Sequence, residues 1–342
     1  MKTSKLRNLI LVVAGAVTLV GGQVGMFAAA ATTSKTTPKT SAQSVNNATN
    51  TLKISPVRSD ISIAPGTTGT VTVTVYNTTG TAVALKPIEN DFIAGDENGT
   101  PSIILDENSY APTHSLKRFM VPLKNITVAA NDSKDVAVSV VVPKSAQAGG
   151  YFGAIRFAPV TASGDTSVNV GASVASLILM TVPGPTTEKL TMTNFDIQQN
   201  GGNASNFRTP TGISLFLRFK NDGNVQEAPF GVVYVKKGNK TVFTTQFNDN
   251  NPKQTILPDS ARRWTVPLKG FGKFGKYTIG GTFGWGSKGE TIEVTKTVWI
   301  VPSTYIFGGL ILLAVIVGLI VFFVLFLRSY KKRVLRKSRR RY

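Results

Sequence analysis

Cysteine is absent from the 342-residue sequence, and histidine occurs once, as His114. Without cysteine the chain can form no disulfide, and it offers neither a thiol nucleophile nor thiolate ligands for zinc. A small secreted scaffold held together by disulfides is therefore excluded. The single histidine lies in a polar stretch, so we expect a solvated side chain there and neither a metal ligand nor a general base.

Catalytic and cofactor-binding motifs are also missing. The sequence contains no G-x-S-x-G nucleophile turn, no glycine-rich phosphate loop and no H-E-x-x-H metal motif. These absences favour a protein that is not an enzyme and that carries no cofactor or metal.

One acidic segment keeps an enzymatic alternative open. Residues 89–120 contain closely spaced carboxylates, namely Asp91, Asp96, Glu97, Asp106 and Glu107. Two carboxylates held about 5 to 9 Å apart can hydrolyse a glycosidic bond, so a glycan-acting enzyme that uses this segment is the alternative function. A calcium site is disfavoured, because the run from Asp96 to Gly99 lacks the ligand spacing of a known calcium loop.

A long stretch near the C-terminus lacks any charge. It runs from Ile306 to Leu327, and at about 1.5 Å per residue a helix of this length can cross the roughly 30 Å hydrocarbon core of a membrane. The tail that follows, residues 328–342, has no acidic residue, and its basic residues are Arg328, Lys331, Lys332, Arg333, Arg336, Lys337, Arg339, Arg340 and Arg341. Basic residues beside a span are retained in the cytoplasm. The sequence therefore predicts a single-pass anchor in the cell membrane, with the N-terminal side outside and the C-terminus cytoplasmic.

The start of the chain has the pattern of an export signal. Three basic residues precede an apolar run from Leu9 to Val20, and Ala28 and Ala30 form an A-x-A cleavage site. We predict that residues 1–30 are removed by cleavage after Ala30. An uncleaved N-terminal anchor is the alternative.

The formal net charge of +20 is mostly explained by this topology. Of 38 basic residues, three lie in the predicted signal and nine in the tail, which leaves 26 against 18 acidic residues, about +8, for the exported part. The tail is expected to contact anionic membrane lipid and not nucleic acid. The basic excess outside suits contact with anionic wall polymers.

Short β-like runs separated by turn signals fill the exported part. Thr70 to Asn77 alternates valine with threonine, which is typical of a half-buried strand. Asp135 to Pro143 becomes continuously apolar, as expected of an inner strand covered on both faces. Between them, the segment 89–120 is irregular and is predicted to insert loops or a small hairpin.

The second half of the exported chain repeats the pattern of the first. Ile213 to Lys220 ends at an asparagine-rich turn as the strand before Asn77 does, and Lys237-Gly238-Asn239 predicts a hairpin. The sequence therefore predicts an all-β fold of two tandem immunoglobulin-like β-sandwiches and one transmembrane helix. The predicted segments are a flexible linker at 31–50, sandwiches at 51–185 and 186–301, the helix at 306–327 and the tail at 328–342.

Aromatic residues in the second domain leave two interpretations open. Trp264, Trp285 and Trp299 either pack in the core or at the membrane interface, or form a surface on which sugars or protein stack. The aromatic and glycine-rich stretch from Phe271 to Gly286 is either a tightly packed hairpin or an exposed binding strand.

The order of signal, two β-domains, span and basic tail resembles the WxL-interacting surface proteins of Gram-positive bacteria. That family carries a peptidoglycan-binding domain followed by a host-binding domain. The similarity lies mainly in the first domain, where ISPVRSDISIAPGTTGTVTVTVYNTT resembles the family's opening segment and VPKSAQAGGYFGAIRF its glycine-rich closing strand. The resemblance implies a non-enzymatic envelope protein whose outer β-domains bind cell-wall polymer or surface proteins.

Overall fold

The computed structural model describes residues 51–160 and 173–338. Some predicted features lie outside these residues and stay predictions, namely the signal with Ala28 and Ala30, the linker at 31–50, and Arg339, Arg340 and Arg341 of the tail.

Eighteen strands and one long helix are formed by the described residues. In chain order the strands are β1 (Leu52–Ser55), β2 (Arg58–Ser62), β3 (Thr68–Asn77), β4 (Val83–Ala94), β5 (Pro101–Ile103), β6 (Ile126–Val128), β7 (Ser133–Val141), β8 (Gly149–Pro159), β9 (Val174–Val182), β10 (Leu190–Gln199), β11 (Gly202–Asn203), β12 (Asn206–Phe207), β13 (Ile213–Asn221), β14 (Phe230–Lys237), β15 (Lys240–Phe247), β16 (Ser260–Pro267), β17 (Gly275–Trp285) and β18 (Glu290–Ile300). Helix α1 spans Ser303–Ser338. The predicted all-β fold, with two immunoglobulin-like sandwiches and one C-terminal apolar helix, is confirmed.

The first sandwich packs a three-stranded sheet, β1-β3-β7, against a sheet of order β2-β9-β8-β4-β5, with β6 beside β4. Strand β3 alternates as predicted, because Val71, Val73 and Val75 are buried while Thr72 is exposed. These valines belong to one continuous core between the two sheets.

The second sandwich packs the sheet β11-β10-β13-β16 against the sheet β12-β18-β17-β14-β15. Its core contains edge-on aromatic pairs, such as Phe219 with Phe283 at 5.5 Å and Phe247 with Phe283 at 5.2 Å between ring centroids. The predicted hairpin is present, since Lys237 pairs with Lys240 across the turn.

Of the two interpretations of the aromatic, glycine-rich stretch from Phe271 to Gly286, the structure supports the tightly packed hairpin. Strand β17 lies inside its sheet, between β14 and β18. A side chain at Gly280 would overlap the ring of Tyr234, and one at Gly281 would overlap the ring of Phe283. The two glycines are therefore needed for close packing of aromatic rings on the strand.

Both faces of the first sandwich's larger sheet are covered. One face contributes to the core of that sandwich, and the other packs Phe92, Phe152 and Leu179 against Leu257 of the second sandwich. Strands β8 and β9 are consequently apolar along nearly their whole length.

The prediction that the strand ending at Pro143 is covered on both faces is wrong. This strand, β7, lies at the edge of the three-stranded sheet. Val138 and Val140 are fully buried, whereas Val141 is 47% exposed. The apolar run therefore reflects one buried face and an exposed valine.

The predicted irregular segment begins later than expected. Strand β4 continues through Glu89 to Ala94 and pairs with β5 in a small hairpin, as one of the two predicted forms of the insertion. Asn90 and Asp91 are fully buried within β4. Polar residues of this kind usually indicate a loop, which is why the sequence predicts an earlier end to the strand.

Two buried asparagines close the ends of matching strands in the two sandwiches. At the end of β3, Asn77 Nδ2 donates to the Thr81 carbonyl at 2.7 Å, and Asn77 Oδ1 accepts from Thr79 N at 3.0 Å. At the end of β13, Asn221 Nδ2 donates to the Val225 carbonyl at 2.7 Å, and Asn221 Oδ1 accepts from Gly223 N at 2.9 Å. The similar turns seen in the two halves of the sequence therefore share one structure, in which a buried asparagine side chain bonds to the backbone of the turn.

Candidate functional site

A groove of about 540 Å³ opens on the first sandwich beside the start of β8. It is lined by residues 111–115, Arg118, Phe119 and residues 147–151 of the first sandwich and by Asn224 of the second sandwich. We call it the His114 groove. Its lining contains one arginine and one histidine and no carboxylate, so the groove is suited to neutral or anionic groups.

His114 is built into the groove and is not the solvated side chain that its polar surroundings predicted. Its Nδ1 lies 2.7 Å from the Gly150 carbonyl oxygen, and its ring centroid lies 5.9 Å from that of Phe152. The backbone φ of 59° is unusual for a residue with a side chain. In the neutral ring, donation from Nδ1 to the carbonyl leaves Nε2 as an acceptor.

Two cations flank one exposed aromatic ring beside the groove. The Arg118 guanidinium lies 4.7 Å, and the Lys117 ammonium 4.9 Å, from the centroid of the Tyr110 ring. Lys117 Nζ also donates to the Ser109 carbonyl at 3.0 Å. Tyr110 is 48% exposed, so the two cations are positioned at the surface by an uncharged ring, and their positive charge is kept.

Tyr151 contributes an aromatic ring to the lining of the groove. Its ring centroid lies 5.0 Å from that of Phe119, and its hydroxyl donates to the Gln147 carbonyl at 2.9 Å. Burial raises the pKa of the Tyr151 hydroxyl, so the group stays neutral and can donate. Aromatic faces and amide groups together suit a sugar, whose CH faces stack while its hydroxyls bond.

The loop that carries His114 is held in place by Asp91, one of the candidate catalytic carboxylates of the sequence. Asp91 is fully buried, and its Oδ2 accepts from Ala111 N at 2.8 Å and Ser115 Oγ at 2.6 Å. Its Oδ1 accepts from Lys117 N at 2.8 Å. Asp91 is therefore a positioning residue for the groove.

The other carboxylates of the segment 89–120 also stabilise loops. Hydrogen bonds from Thr100, chiefly from its backbone N–H, lower the pKa of Asp96, and the Ser109 hydroxyl lowers the pKa of Asp106. A hydrogen bond from Lys86 lowers the pKa of Glu107. These three lowered pKa values differ from the raised pKa that a general acid for glycan hydrolysis needs.

The turn between β4 and β5 reaches the second sandwich and forms an ion pair and hydrogen bonds with it. The Glu97 carboxylate pairs with Arg218 of β13 at 2.6 Å, which lowers the pKa of Glu97. The Glu97 carbonyl accepts from Arg263 N at 2.7 Å, and Asn98 Oδ1 accepts from Arg263 Nε at 3.0 Å. The insertion therefore serves as a contact between the two sandwiches.

Asn224 joins the second sandwich to the groove itself. Its carbonyl accepts from Gly150 N at 2.7 Å, and its Nδ2 donates to the Ala148 carbonyl at 3.0 Å. Its Oδ1 accepts from Thr187 N at 2.8 Å in the connection between the sandwiches. The groove thus depends on the docking of both sandwiches.

Two further carboxylates, Glu188 and Glu227, line a cleft at this junction. Glu227 is only 4% exposed, and one oxygen accepts from Gly286 N at 3.2 Å. Glu188 accepts from Ser287 N at 2.8 Å on the same turn. Burial, and then repulsion by Glu188, raises the pKa of Glu227 to about 7. Sequence reasoning missed this residue, because nothing in the local sequence marks Glu227 as buried.

No protein-family model matches the sequence, and no curated protein matches it. Among solved structures, the class 5 fimbriae chaperone CfaA is 14% identical, with 73% of this chain and 99% of that chain covered and a TM-score of 0.37. The E. coli chaperone DraB is 16% identical, with coverages of 73% and 97% and a TM-score of 0.31. The Pseudomonas aeruginosa chaperone CupB2 is 10% identical, with coverages of 71% and 99% and a TM-score of 0.30. TM-scores this low carry no inference about ligands or partners.

Among the described residues, no group of three or more His, Cys, Asp or Glu side chains could hold a metal ion.

The tryptophans differ in environment. Trp264 packs against Phe247 at 5.4 Å, and its Nε1 donates to Gln254 Oε1 at 2.7 Å. Trp299 is 43% exposed at the end of β18. The core interpretation therefore fits Trp264, whereas Trp299 is too exposed for it.

Helix α1 contains the predicted anchor from Ile306 to Leu327. Its part Ser303–Tyr330 is long enough and apolar enough to cross a membrane, and its most apolar 18-residue window has a mean hydropathy of 3.5 and is not buried by the protein. Arg328 follows within the helix, and the backbone of residues 331–337 continues it.

We expect Leu257→Asp to loosen the junction between the sandwiches. The carboxylate would enter the apolar layer formed by Phe92, Phe152 and Leu179, at a cost of about 2 kcal/mol, or on the order of thirtyfold in the population with separated domains. Limited proteolysis within the connection 183–189 should accelerate accordingly. Leu105→Asp is the control, because Leu105 is 63% exposed and its replacement should leave cleavage unchanged. Equal cleavage of both variants would contradict the docked arrangement.

Proposed function

We propose that this chain is a membrane-anchored, non-enzymatic protein of the cell envelope whose His114 groove binds an anionic wall polymer. The observation that carries the proposal is the groove's lining, which combines Arg118 and His114 with aromatic walls and contains no carboxylate. Its volume of about 540 Å³ lies in the range of small-ligand sites and suits a short stretch of saccharide.

The contacts around the groove support a glycan ligand with negative groups. Arg118 and Lys117 supply positive charge that is stacked on Tyr110 and is not paired with it. Tyr151 and Phe119 supply rings for stacking. The exposed side-chain amide of Gln147 lies in the lining and supplies groups that bond to hydroxyls.

The proposed topology places the groove outside the cell. Helix α1 spans the membrane, the basic tail is cytoplasmic and both sandwiches are extracellular, in the manner of the WxL-interacting surface proteins, to which we propose that the chain belongs. The support is the uncharged run in α1 and the basic residues after it. A surface protein that presents anionic groups is the alternative occupant of the groove.

We expect Arg118→Ala to weaken retention of the full-length protein on isolated cell wall by roughly tenfold at low salt, because one charge-assisted contact is lost. Co-sedimentation across salt concentrations measures this loss, and the retention of the parent should itself fall as salt rises.

Lys124→Ala provides the matched control, since Lys124 is an exposed basic residue of the first sandwich that does not line the groove. It should bind wall as the parent does. If the parent is not retained at low salt, wall binding is excluded. If Arg118→Ala and Lys124→Ala bind alike, the groove is not the site.

A further inference from the structure

The second sandwich has an end without acidic residues. This end is formed by residues 200–212, 236–240, 268–276 and 300–305, which contain no Asp or Glu. Its basic residues are Arg208, Lys236, Lys237, Lys240, Lys269, Lys273 and Lys276. We call it the basic end.

The opposite end of the same sandwich carries the acids. Its loops and the first residue of β18 contain Glu188, Asp222, Glu227, Asp249, Asp259 and Glu290. Much of the positive excess of the exported chain is therefore concentrated at one end of one domain. A field of one sign at one end indicates a partner of the opposite sign.

Contacts fix the basic end against the base of helix α1. The helix begins at Ser303, directly after β18 ends at Ile300. The Phe274 ring centroid lies 5.4 Å from that of Tyr305, and Arg208 Nη1 donates to the Val301 carbonyl at 3.4 Å. No flexible stalk separates the basic end from the apolar helix.

Aromatic side chains lie among these lysines. Phe274 is 48% exposed, Trp299 43% and Tyr305 60%. Lys237 Nζ donates to the Phe274 carbonyl at 3.3 Å, which ties one lysine to the aromatic loop. Exposed aromatic rings beside the start of an apolar helix are typical of residues that lie at the level of lipid headgroups.

We propose that the basic end rests on the phosphate headgroups of an anionic outer leaflet, with Phe274, Trp299 and Tyr305 in the interface. This inference rests on the proposed anchor but goes beyond it, because an anchor alone leaves the domain free to tilt. Seven basic residues and no acid lie in the segments at the end of the sandwich from which the helix leaves, and phosphate is the complementary group there. The partner is the lipid surface itself.

The test uses the full-length protein reconstituted into vesicles of phosphatidylglycerol or phosphatidylcholine. Because the chain has no cysteine, Asn239→Cys can be labelled uniquely with a fluorophore at the basic end, and Asn250→Cys at the opposite end. We expect lipids with a headgroup spin label to quench the Asn239→Cys label at least threefold more in phosphatidylglycerol. The Asn250→Cys label should be quenched equally in both lipids.

Charge variants identify the contact. Lys237→Gln, Lys269→Gln and Lys273→Gln combined should reduce quenching to the level in phosphatidylcholine, as should 0.5 M salt. The matched set Lys53→Gln, Lys124→Gln and Lys144→Gln removes the same charge from the first sandwich and should change nothing.

Four outcomes would overturn the inference. Equal quenching in the two lipids, or quenching that survives in the basic-end variant, removes it while the anchor stands. Displacement by soluble poly(glycerol phosphate) at equal phosphate concentration assigns the basic end to wall polymer instead. Failure of the protein to float with vesicles removes the proposed anchor and this inference together, so the two failures are distinguishable.

Discussion

Replacing Asn221 by alanine is expected to lower the free energy of unfolding of the second sandwich by about 3 kcal/mol. Asn221 is fully buried, and its Nδ2 donates to the carbonyls of Val225 at 2.7 Å and Ile256 at 3.0 Å. Its Oδ1 accepts from Gly223 N at 2.9 Å. Truncation leaves three buried backbone groups without these partners, which costs more than the net value of the bonds.

Thermal unfolding of the full-length protein in detergent measures this loss. A decrease of about 3 kcal/mol corresponds to a Tm lower by roughly 10 °C or more for a domain of this size. Asn221→Asp should be at least as destabilising, since it replaces the donor by an oxygen that faces two carbonyl oxygens.

The exposed Asn250 supplies the control for this substitution. Asn250→Ala removes the same group from the surface and should change stability by less than about 0.5 kcal/mol. If Asn221→Ala and Asn250→Ala unfold at the same temperature, the asparagine does not close the end of β13.

The sequence predicted features that depend on neighbours along the chain. Alternation of valine and threonine defined β3, and the turn at Gly238 defined the hairpin of β14 and β15. The similarity of the turns at Asn77 and Asn221 was visible in the sequence. Their burial was not, because it depends on carbonyls at Ala129 and Ile256, far along the chain.

Features that depend on contact between the sandwiches could not be read locally. In the sequence Asp91 is a candidate catalytic acid, because its partners, Ala111 and Ser115, lie 20 and 24 residues further along the chain. The covered outer face of the first sandwich needs Leu257, which belongs to the other domain. The apolar run of β7 and the doubly covered strands β8 and β9 look alike in sequence, and only docking distinguishes them.

The His114 groove shows the same dependence. A polar loop in the sequence predicts solvation, yet the loop folds back on β8, where His114 bonds to Gly150 and Asp91 holds the loop from beneath. The signal that could have indicated this is the buried carboxylate in a strand, since such a group needs several donors. Those donors are supplied by the loop.

Stability of the ectodomain is expected to fall as pH rises from about 5 to 8.5, because of Glu227. Burial raises the pKa of Glu227 to about 7 in the folded protein, from 4.5 in the unfolded chain. Below the unfolded pKa both states hold the proton and the stability is complete. Between the two pKa values the unfolded chain gives up its proton while the folded protein keeps it, so stability falls until the folded group ionises near pH 7. The total loss is about 3 kcal/mol and is complete by pH 8.5.

Glu227→Gln isolates this effect. Glutamine keeps an oxygen that can accept from Gly286 N, but it cannot ionise, so the variant should be more stable than the parent at pH 8.5 and nearly independent of pH above 5. The carboxylates whose pKa values are lowered, such as Asp96 and Glu97, lose their contribution only at lower pH and do not interfere in this window. Denaturant unfolding at a series of pH values measures the slope.

Glu290→Gln is the matched control, because Glu290 is exposed at the same end of the sandwich and its replacement should leave the slope intact. Glu188→Gln should move the midpoint of the fall to lower pH, since the repelling charge is removed while an acceptor for Ser287 N remains. The buried carboxylate would lose its assigned role if the parent were equally stable at pH 5 and 8.5, or if Glu227→Gln kept the full slope.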